Sequence, residues 1–316
     1  MVSIEVKSRS KSLRSVTISD LTLDTPVKAL VGQIAEKNRT SAARLRVTKY
    51  DDKTKKQQPL DYSKSFLENG IATKKIELFV KDLGPQISWR TVFMIEYFGP
   101  LLIHPLFYYV SGLYGSSSVI HHTQTQQFAY LFVVLHFLKR EYETVFVHKF
   151  SNDTMPVFNI FRNSSHYWIL SGFNLAYFIY GQDSSLYSSG FLKFLFKVND
   201  LPSSYNYLLA GLFIFAEVSN GITHSILANV RKEDTKKYVI PYGYGFDLVA
   251  CPNYFFESVS WFAYALLVGN WSSWVFLFVA TGQMWLWAVK KHKRYLKTFG
   301  DEYKKLNRKI YVPYVI

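Results

Sequence analysis

Apolar and polar positions divide the chain into a short amphipathic part followed by long apolar segments. VSIEV (2–6) alternates apolar and polar side chains as a strand does. RLRVTKY (44–50) and KIELFV (75–80) are further strand-like runs, whereas TPVKALVGQIAEKN (25–38) repeats its apolar residues with helical spacing. We therefore predict a small α+β domain over residues 1–82, of the ubiquitin-like β-grasp type.

Six apolar segments follow, and most are near the roughly 20 residues that a membrane-spanning helix requires. They cover residues 91–111, 127–148, 166–181, 205–228, 254–270 and 273–290. GFLKFLF (190–196) is read either as an interfacial segment or as part of a seventh span. The pattern predicts that residues 83–316 form a mainly α-helical, polytopic membrane bundle of six spans, with seven as the alternative.

Composition supports a membrane class and excludes several others. The chain is 49% apolar, 18% aromatic and 19% charged, against about 25% charged residues in a soluble domain. A chain this apolar is not disordered. Its one cysteine, Cys251, excludes a disulfide framework and a cysteine-based zinc site.

The distribution of charge predicts the orientation of the bundle. Residues 1–85 hold 17 Lys/Arg and 10 Asp/Glu, a net charge of +7; residues 290–316 hold 9 and 2, again +7. Residues 86–289 hold 11 of each sign. Basic ends that flank a neutral middle indicate that both termini are cytosolic. We expect no nucleic-acid partner, because such a protein carries its basic patch on a polar fold.

One candidate site lies in LHFLKREYETVFVHKF (135–150). His136 and Arg140 are four residues apart, as are Lys139 and Glu143, so each pair shares a helix face. Two adjacent cations within an apolar segment suit anionic phosphate groups. The alternative interpretation is an anchor at the membrane interface, with Glu143 as the structural partner of the cations.

A second candidate is a polar stripe made by Glu217, Asn220, His224 and Arg231, which follow helical spacing. Ionisable residues inside a membrane bundle are costly unless they are paired or line a wet cavity. A lone histidine there is usually a packing residue, but four aligned polar groups favour a lined cavity.

Two further candidates lie nearer the C-terminus. In the segment 243–261, Asn253 and Glu257 are four apart, and the Tyr254 hydroxyl can donate a proton or polarise a carbonyl. Many of the 23 tyrosines are expected instead to be interfacial belt residues. His292 and Tyr295 share a helical face among Lys and Arg side chains, which suit either a dinucleotide phosphate or anionic lipid headgroups.

Missing motifs narrow the chemistry. The sequence has no dinucleotide-binding glycine fingerprint after a predicted strand, no Walker loop and no nucleophile elbow. It also lacks clustered-histidine boxes of the di-iron type. We therefore predict no metal site.

Several motifs together resemble one branch of the steroid 5α-reductase superfamily. The C-terminal pattern reads Pro241, Phe246, Asn253, Tyr254, Glu257, Trp261, His292, Tyr295 and Pro313-Tyr314. KDLGPQISWR (81–90), the LKR-x-x-E helix, CPNY-x-x-E and TGQMWLWA-x-x-KH narrow the resemblance to the very-long-chain trans-2-enoyl-CoA reductases, in their fungal form. The likeness extends over essentially the whole chain.

The resemblance implies an NADPH-dependent enzyme of the endoplasmic reticulum membrane that reduces very-long-chain trans-2-enoyl-CoA to saturated acyl-CoA. This is the last step of fatty-acid elongation, which feeds sphingolipid synthesis, and association with elongase subunits is expected. By motif, Tyr254 is the acid, and the catalytic core holds Lys139, Arg140, Glu143 and Gln86. The cofactor pocket is lined by Asn220, His224, Arg231, Asn253, His292 and Tyr295.

Departures from the family pattern leave alternatives open. Gly243-Tyr244-Gly245 replaces the Gly-Gly before Phe246, and Phe137 stands where the steroid-reducing branch has a tyrosine. The second departure argues against steroid reduction. The alternatives are a reductase of another enone lipid, a membrane methyltransferase of related architecture, or a non-catalytic adaptor that uses the ubiquitin-like domain. Chain-length preference, oligomeric state, hydride stereochemistry, the ligands of the 2′-phosphate and the role of the N-terminal domain do not follow from the sequence.

Overall fold

The computed structural model describes the chain except for residues 53, 74, 117–118, 151–152, 182–189, 231–237 and 316. It divides into two compact units. The first comprises Met1–Trp89 and Asn152–Asn159, and the second Arg90–Ser151 and Ile160–Ile316. The domain boundaries predicted from the sequence, 1–82 and 83–316, stay a prediction.

The first unit is built on a five-stranded sheet. Its strands are β1 (Val2–Ser8), β2 (Val16–Leu21), β3 (Leu45–Asp51), β4 (Lys56–Pro59) and β5 (Lys75–Asp82), and helix α1 spans Val27–Lys37. The strand order is β2-β1-β5-β3-β4, in which β1 runs parallel to β5 and the other pairs are antiparallel. The predicted strands over 2–6, 44–50 and 75–80 and the helix over 25–38 are each found, with ends that differ by at most two residues.

Alternating burial explains why these residues form a sheet with one covered face. Val2, Ile4 and Val6 of β1 are buried while Ser3 and Glu5 are exposed, which is the period of a half-buried strand. Helix α1 buries Leu30 and Ile34 in the same core. Each such side chain contributes about 1.5–3 kcal/mol by leaving water. That the unit is ubiquitin-like stays a prediction.

The first unit also contains a short two-stranded ribbon. Strand β6 (Gln86–Ser88) pairs antiparallel with β7 (Thr154–Pro156), and the Trp89 indole donates to the Thr154 carbonyl at 3.1 Å. The predicted junction at Gly84-Pro85 is therefore structured, and its chain continues directly into the first long helix.

The second unit is helical. Its main helices are α2 (Trp89–Tyr109), α3 (Gln124–Tyr142), α5 (Leu175–Tyr180), α7 (Ser203–Val230), α8 (Pro252–Val268) and α9 (Trp271–Phe299), with α4 (Asn159–Ser165), α6 (Gly190–Leu195) and α10 (Asp301–Lys304) as shorter pieces. Two π-helical segments, Glu143–Val147 and His166–Asn174, extend α3 and precede α5. Every apolar segment predicted to span is thus helical in the part of the chain that the structure describes.

Local sequence signals set the helix boundaries. The Thr123 hydroxyl and the Gln126 side chain form a capping box at the start of α3. Pro252 occupies the first turn of α8, where its missing N–H costs nothing. Asn270 caps α9 through Ser272, and Gly269 adopts φ +64° to turn the chain between the two helices.

The core of the second unit is aromatic. Phe132 of α3 stacks on Phe213 of α7 with ring centroids 4.3 Å apart, and Phe137, Trp261 and Tyr264 are buried in the same cluster. By length and composition, one helix among the described residues is suited to cross a membrane: Trp271–Phe299. The count of six spans, or seven, stays a prediction.

A C-terminal strap, residues 308–312, holds the loop that precedes α8. Lys309 N–H donates to the Leu248 carbonyl, and Ala250 N–H donates to the Lys309 carbonyl at 2.8 Å. Gly245 in this loop has φ +75°, and a Cβ there would lie 2.7 Å from Pro252 Cβ. The loop is therefore pressed against the first turn of α8, which fixes where that helix begins.

The first unit offers a test of its electrostatics. Two hydrogen bonds from the Arg44 guanidinium lower the pKa of Asp82 to about 2, with Gly84 N–H and the Ser12 hydroxyl helping. A lowered carboxyl pKa adds stability above its unfolded value of about 3.9, and this stability is lost as the pH falls through about 2. Asp82→Asn should therefore speed hydrogen exchange of β3 and β5 in the full chain at pH 7.

The difference between Asp82→Asn and wild type should shrink as the pH falls from 4 to 2. Asp20→Asn is the matched control, because Asp20 accepts from Gln33 and forms no ion pair within the described residues. Equal exchange in wild type and Asp82→Asn at pH 7 would contradict the assignment of this pair as stabilising.

Candidate active site

Helices α3 and α7 bring a lysine and two polar partners together inside the second unit. Lys139 Nζ lies 2.9 Å from Glu217 Oε2 and donates to Asn220 Oδ1 at 2.5 Å. Its distance to Glu143 Oε1 is 3.6 Å. Lys139 and Glu143 are one turn apart on α3 and its π-helical extension, so the sequence spacing alone places them together.

Glu143 is the carboxylate on which most of these groups converge. Its Oε2 accepts from Arg140 Nη1 at 2.7 Å and lies 2.9 Å from His224 Nδ1. Glu143 is also the first residue of the π-helical segment, and its carbonyl accepts from His148 N–H. Such π-helical segments occur frequently at functional sites.

Arg140 joins a further helix to the cluster. Its Nη2 donates to the Tyr97 hydroxyl of α2 at 2.9 Å, and its guanidinium lies 5.1 Å from the Tyr97 ring centroid. Tyr97 is fully buried and packs against Phe137. A tyrosine hydroxyl from α2 therefore lies in this region beside Phe137, a contact that the sequence pattern did not predict.

His136 links α3 to both α7 and α8. Its Nδ1 lies 2.8 Å from Glu217 Oε1, and its Nε2 lies 3.3 Å from Glu257 Oε1. The Trp261 indole also donates to Glu257 Oε1. One connected polar network, which we call the charged network, thus runs through four helices. Its members are Tyr97, His136, Lys139, Arg140, Glu143, Glu217, Asn220, His224 and Glu257.

The start of α8 adjoins this network. Asn220 Nδ2 donates to the Asn253 carbonyl at 2.9 Å. Asn253 is buried, and its Oδ1 has no hydrogen-bond partner among the described residues. An amide oxygen left unpaired in the interior is costly, so a donor from a bound molecule would be favoured there.

Tyr254 follows on the same turn and is only partly buried. Its hydroxyl makes no hydrogen bond to any other described residue, while its carbonyl accepts from the Tyr311 hydroxyl at 3.1 Å. The strap therefore holds the backbone of Tyr254 and leaves its phenol unengaged. A phenol in this state is free to meet a substrate oxygen.

The two predicted residues of α9 lie in a separate aromatic cluster. Tyr295 is buried and stacks on Tyr238 and Tyr303. His292 Nδ1 lies 3.0 Å from the Tyr303 hydroxyl. Burial raises the pKa of Tyr303 to about 12, so its phenol stays protonated at neutral pH. Within the described residues, no hydrogen bond or ion pair joins His292 or Tyr295 to the charged network.

Arg308 is a buried cation of the strap. Its Nη1 donates to the Pro241 carbonyl at 2.7 Å, and its guanidinium lies over the Tyr242 ring. Its Nε and Nη2 have no hydrogen-bond partner in the described part of the chain, although Nη2 is 3.8 Å from the exposed carboxylate of Asp247. A guanidinium with two unused donors suits an anion.

Two predicted residues lie outside the described part of the second unit. Arg231 lies outside the described residues. Gln86 belongs to the first unit, where its amide nitrogen is within 3.3 Å of the Leu83 and Gly84 carbonyls and its Oε1 accepts from Thr154. The catalytic role predicted for Gln86 stays a prediction.

One set of side chains has the composition of a metal site. Ligand atoms of Glu143, His148 and His224 lie within 4.8 Å of one another. The Arg140 guanidinium already contacts Glu143 and lies 3.2 Å from His224 Nδ1. Because a divalent cation would be repelled by this guanidinium, the prediction of no metal site is retained.

Comparison with known proteins assigns the family. The family described as 3-oxo-5-alpha-steroid 4-dehydrogenase matches residues 153–316. A "Putative enoyl reductase" of Schizosaccharomyces pombe is 43% identical, and the "Very-long-chain enoyl-CoA reductase" of Dictyostelium discoideum is 39% identical. Both alignments cover all of this chain and all of the relative. The chain belongs to the steroid 5α-reductase superfamily.

The family assignment confirms the resemblance predicted from the motifs. The matched range contains α7 and α8, and with them Glu217, Asn220, Asn253 and Tyr254. Lys139 and Arg140 of α3 lie outside that range, but the alignments with the full-length relatives include them. Sequence reasoning did not select Tyr97 or Arg308, and it noted Glu257 without giving it a role at the site. Glu257 carried a signal, because it is an acid in an apolar segment; Tyr97 carried none among so many tyrosines.

The residues present fit a nicotinamide dinucleotide. The unpaired Asn253 Oδ1 is an acceptor of the kind that a nicotinamide carboxamide requires, and Arg308 offers unused donors for a phosphate. Both are buried, so neither atom can be satisfied by bulk water. The fit therefore rests on two separate buried groups without partners among the described residues: an acceptor on Asn253 and two donors on Arg308.

Removal of one carboxylate tests the charged network. Glu143→Gln should destabilise the second unit by about 3 kcal/mol, because Arg140 and Lys139 lose a buried counter-charge. The change would be measured as a lower midpoint of unfolding for protein in nanodiscs. Glu141→Gln is the matched control on the same helix, since Glu141 forms no ion pair among the described residues. Equal midpoints for the two variants would contradict the role given to Glu143.

Proposed function

We propose that this chain is an NADPH-dependent reductase that converts very-long-chain trans-2-enoyl-CoA to saturated acyl-CoA. It acts as an oxidoreductase on a CH–CH group, as the names of its full-length relatives indicate for those proteins. The conclusion rests chiefly on one observation. Tyr254, whose hydroxyl has no hydrogen-bond partner among the described residues, lies in the first turn of α8, and the buried charged network holds that turn in place.

The chemistry requires a donor at the thioester oxygen. Addition of hydride to C3 of an enoyl thioester places negative charge on that oxygen and on C2. A hydrogen bond donated to the developing enolate stabilises it, and a proton must then reach C2. Tyr254 supplies the donor, because its hydroxyl is unpaired while its backbone is held by Tyr311 and Asn220 holds the preceding carbonyl.

The adjacent cations serve the anionic parts of the ligands. Lys139 and Arg140 are already neutralised by Glu217 and Glu143, so they act in fixed positions and do not lose free side-chain motion when a ligand binds. NADPH supplies the hydride when bound. Asn253 binds the carboxamide, Asn220 and His224 line the same pocket, and Arg308 binds a phosphate, with His292, Tyr295 and Arg231 as further lining residues.

We further propose that the second unit is a multi-pass bundle of the endoplasmic reticulum membrane with both termini cytosolic. The apolar segments, the basic ends and the aromatic surface support this orientation. A very long acyl chain is best accommodated within lipid, whereas CoA and NADPH need a basic cytosolic opening. The product would continue in fatty-acid elongation toward sphingolipids, in association with elongase subunits.

Activity with and without the Tyr254 hydroxyl tests the function. Purified protein in nanodiscs should oxidise NADPH when a long trans-2-enoyl-CoA is added. Tyr254→Phe should lower kcat by about 10²–10³-fold, because it removes the donor to the enolate and keeps the ring. Tyr264→Phe is the matched control: Tyr264 lies on the same helix, is fully buried, and its hydroxyl has no partner among the described residues.

The outcomes separate the alternatives. Oxidation in wild type that survives in Tyr254→Phe would keep the function and remove the role given to Tyr254. A folded protein that binds NADPH but ignores enoyl-CoA would be a reductase of another enone lipid. Absence of NADPH binding would return the methyltransferase and the adaptor to consideration, and deletion of residues 1–80 would abolish the adaptor's effect alone.

Arg308 provides a test of cofactor binding. Arg308→Met should raise the KM for NADPH by about 10–100-fold, equivalent to the loss of one or two charge-assisted hydrogen bonds. A smaller change for NADH would assign Arg308 to the 2′-phosphate, and an equal change would assign it to the pyrophosphate. Arg294→Met is the control, because Arg294 is exposed, lies over the Tyr238 ring and forms no ion pair among the described residues. Unchanged KM for both cofactors would contradict the assignment.

A further inference from the structure

His136 occupies an unusual position in the charged network. It is buried, with 2% of its surface exposed, and each of its two ring nitrogens faces a carboxylate oxygen. The two carboxylates come from different helices, Glu217 from α7 and Glu257 from α8. The proposed function assigns no part in binding or chemistry to His136, so any role of this residue is a separate one.

His136 lies between acids of two different helices. Its Nδ1 is at hydrogen-bond distance from Glu217 Oε1, 2.8 Å, and its Nε2 lies 3.3 Å from Glu257 Oε1. Both acids belong to the charged network, in which Glu217 also contacts Lys139. Removal of the side chain between them would leave two buried carboxylates without one of their partners, which is costly.

Both carboxylates that His136 holds lead to the first turn of α8. Glu257 lies one helical turn after Asn253 and Tyr254, so it belongs to the same face of that helix. Glu217 contacts Lys139, whose other partner Asn220 donates to the Asn253 carbonyl. The turn that carries Asn253 and Tyr254 is thus fixed from two directions, and His136 is the residue common to both.

We propose that His136 is a positioning residue of the reductase: by bridging Glu217 and Glu257, it fixes the turn of α8 that presents Asn253 and Tyr254. The inference deepens the proposed function and rests on it, because an effect on kcat presupposes that the protein is a reductase. Errors of about 1 Å in the placement of a reacting group can cost about 100-fold in rate. Loss of this bridge should therefore lower kcat more than it raises KM.

A buried histidine can instead be a packing residue, and the chain contains one for comparison. His104 is fully buried and also bridges two partners, the Tyr180 hydroxyl at 2.6 Å and the Ser171 carbonyl at 2.7 Å. Neither partner is charged. His104 therefore matches His136 in burial and in bridging geometry, but not in the charge that it holds.

The experiment compares His136→Gln with a double variant. In His136→Gln the side-chain amide can donate to only one carboxylate, and its oxygen faces the other. We expect kcat to fall about 100-fold. Adding Glu257→Gln replaces that carboxylate with an amide whose N–H can donate to the amide oxygen introduced at position 136, so two acceptors no longer face each other. The double variant should recover about tenfold in kcat relative to His136→Gln.

A second readout does not depend on turnover. Hydrogen exchange of the backbone amides from Phe255 to Trp261, the second turn onward of α8, should be faster in His136→Gln and slower again in the double variant. His104→Gln should lower thermal stability while leaving that exchange and kcat within about threefold of wild type. Hydrogen exchange tests the positioning role separately from the reductase function, because it reports on α8 even if the wild type reduces no enoyl-CoA.

Three results would overturn the inference. One is a folded His136→Gln variant whose kcat and α8 hydrogen exchange equal those of the wild type. Another is a double variant that recovers neither quantity. The third is a His104→Gln variant that changes kcat and α8 exchange as much as His136→Gln does, because His136 would then be one packing histidine among others. By contrast, an inactive wild type with faster α8 exchange in His136→Gln would reject the function and keep the positioning role.

Discussion

Neutralisation of two adjacent cations is the constraint on which the second unit depends. Lys139 and Arg140 point into the helical unit, where an unpaired charge would cost several kcal/mol. Glu143 contacts both cations and also His224 of α7, and Glu217 of α7 contacts Lys139, so these ion pairs fix α3 against α7. Neither acid could be moved along its helix by one residue without turning it to another face, because successive helical positions are about 100° apart.

The same pairing explains how a reactive face can be held within an apolar bundle. Asn220 and His224 lie one turn and two turns after Glu217 on α7, so the register that satisfies the carboxylate also places these polar side chains beside α3 and α8. The aromatic packing of Phe132 on Phe213 excludes water from one side of the network. The polar contacts set the register of α7 against α3. The apolar contacts bury these polar groups, and electrostatic interactions are stronger in a buried environment.

The loop that precedes α8 is held by a part of the chain that is distant in sequence. The strap joins the loop before α8 through Leu248 and Ala250, and Tyr311 reaches the carbonyl of Tyr254. Gly245 has no side chain to separate that loop from Pro252. The replacement of the family's Gly-Gly by Gly243-Tyr244-Gly245 therefore keeps a glycine where a close approach requires one, and Tyr244 turns its hydroxyl toward Ser219.

The sequence by itself determined the local elements and much of the chemistry. The periods of VSIEV and of the helix over 25–38, the apolar segments and the i, i+4 pair of Lys139 and Glu143 follow from spacing within one element, and the family follows from ordered motifs. Only the tertiary structure decided that Tyr97 of α2 meets Arg140, that His136 bridges α7 and α8, and that the donors of Arg308 are buried. The reason is physical: helical period fixes which residues share a face, but which faces meet depends on packing between helices that are 40–120 residues apart in the sequence.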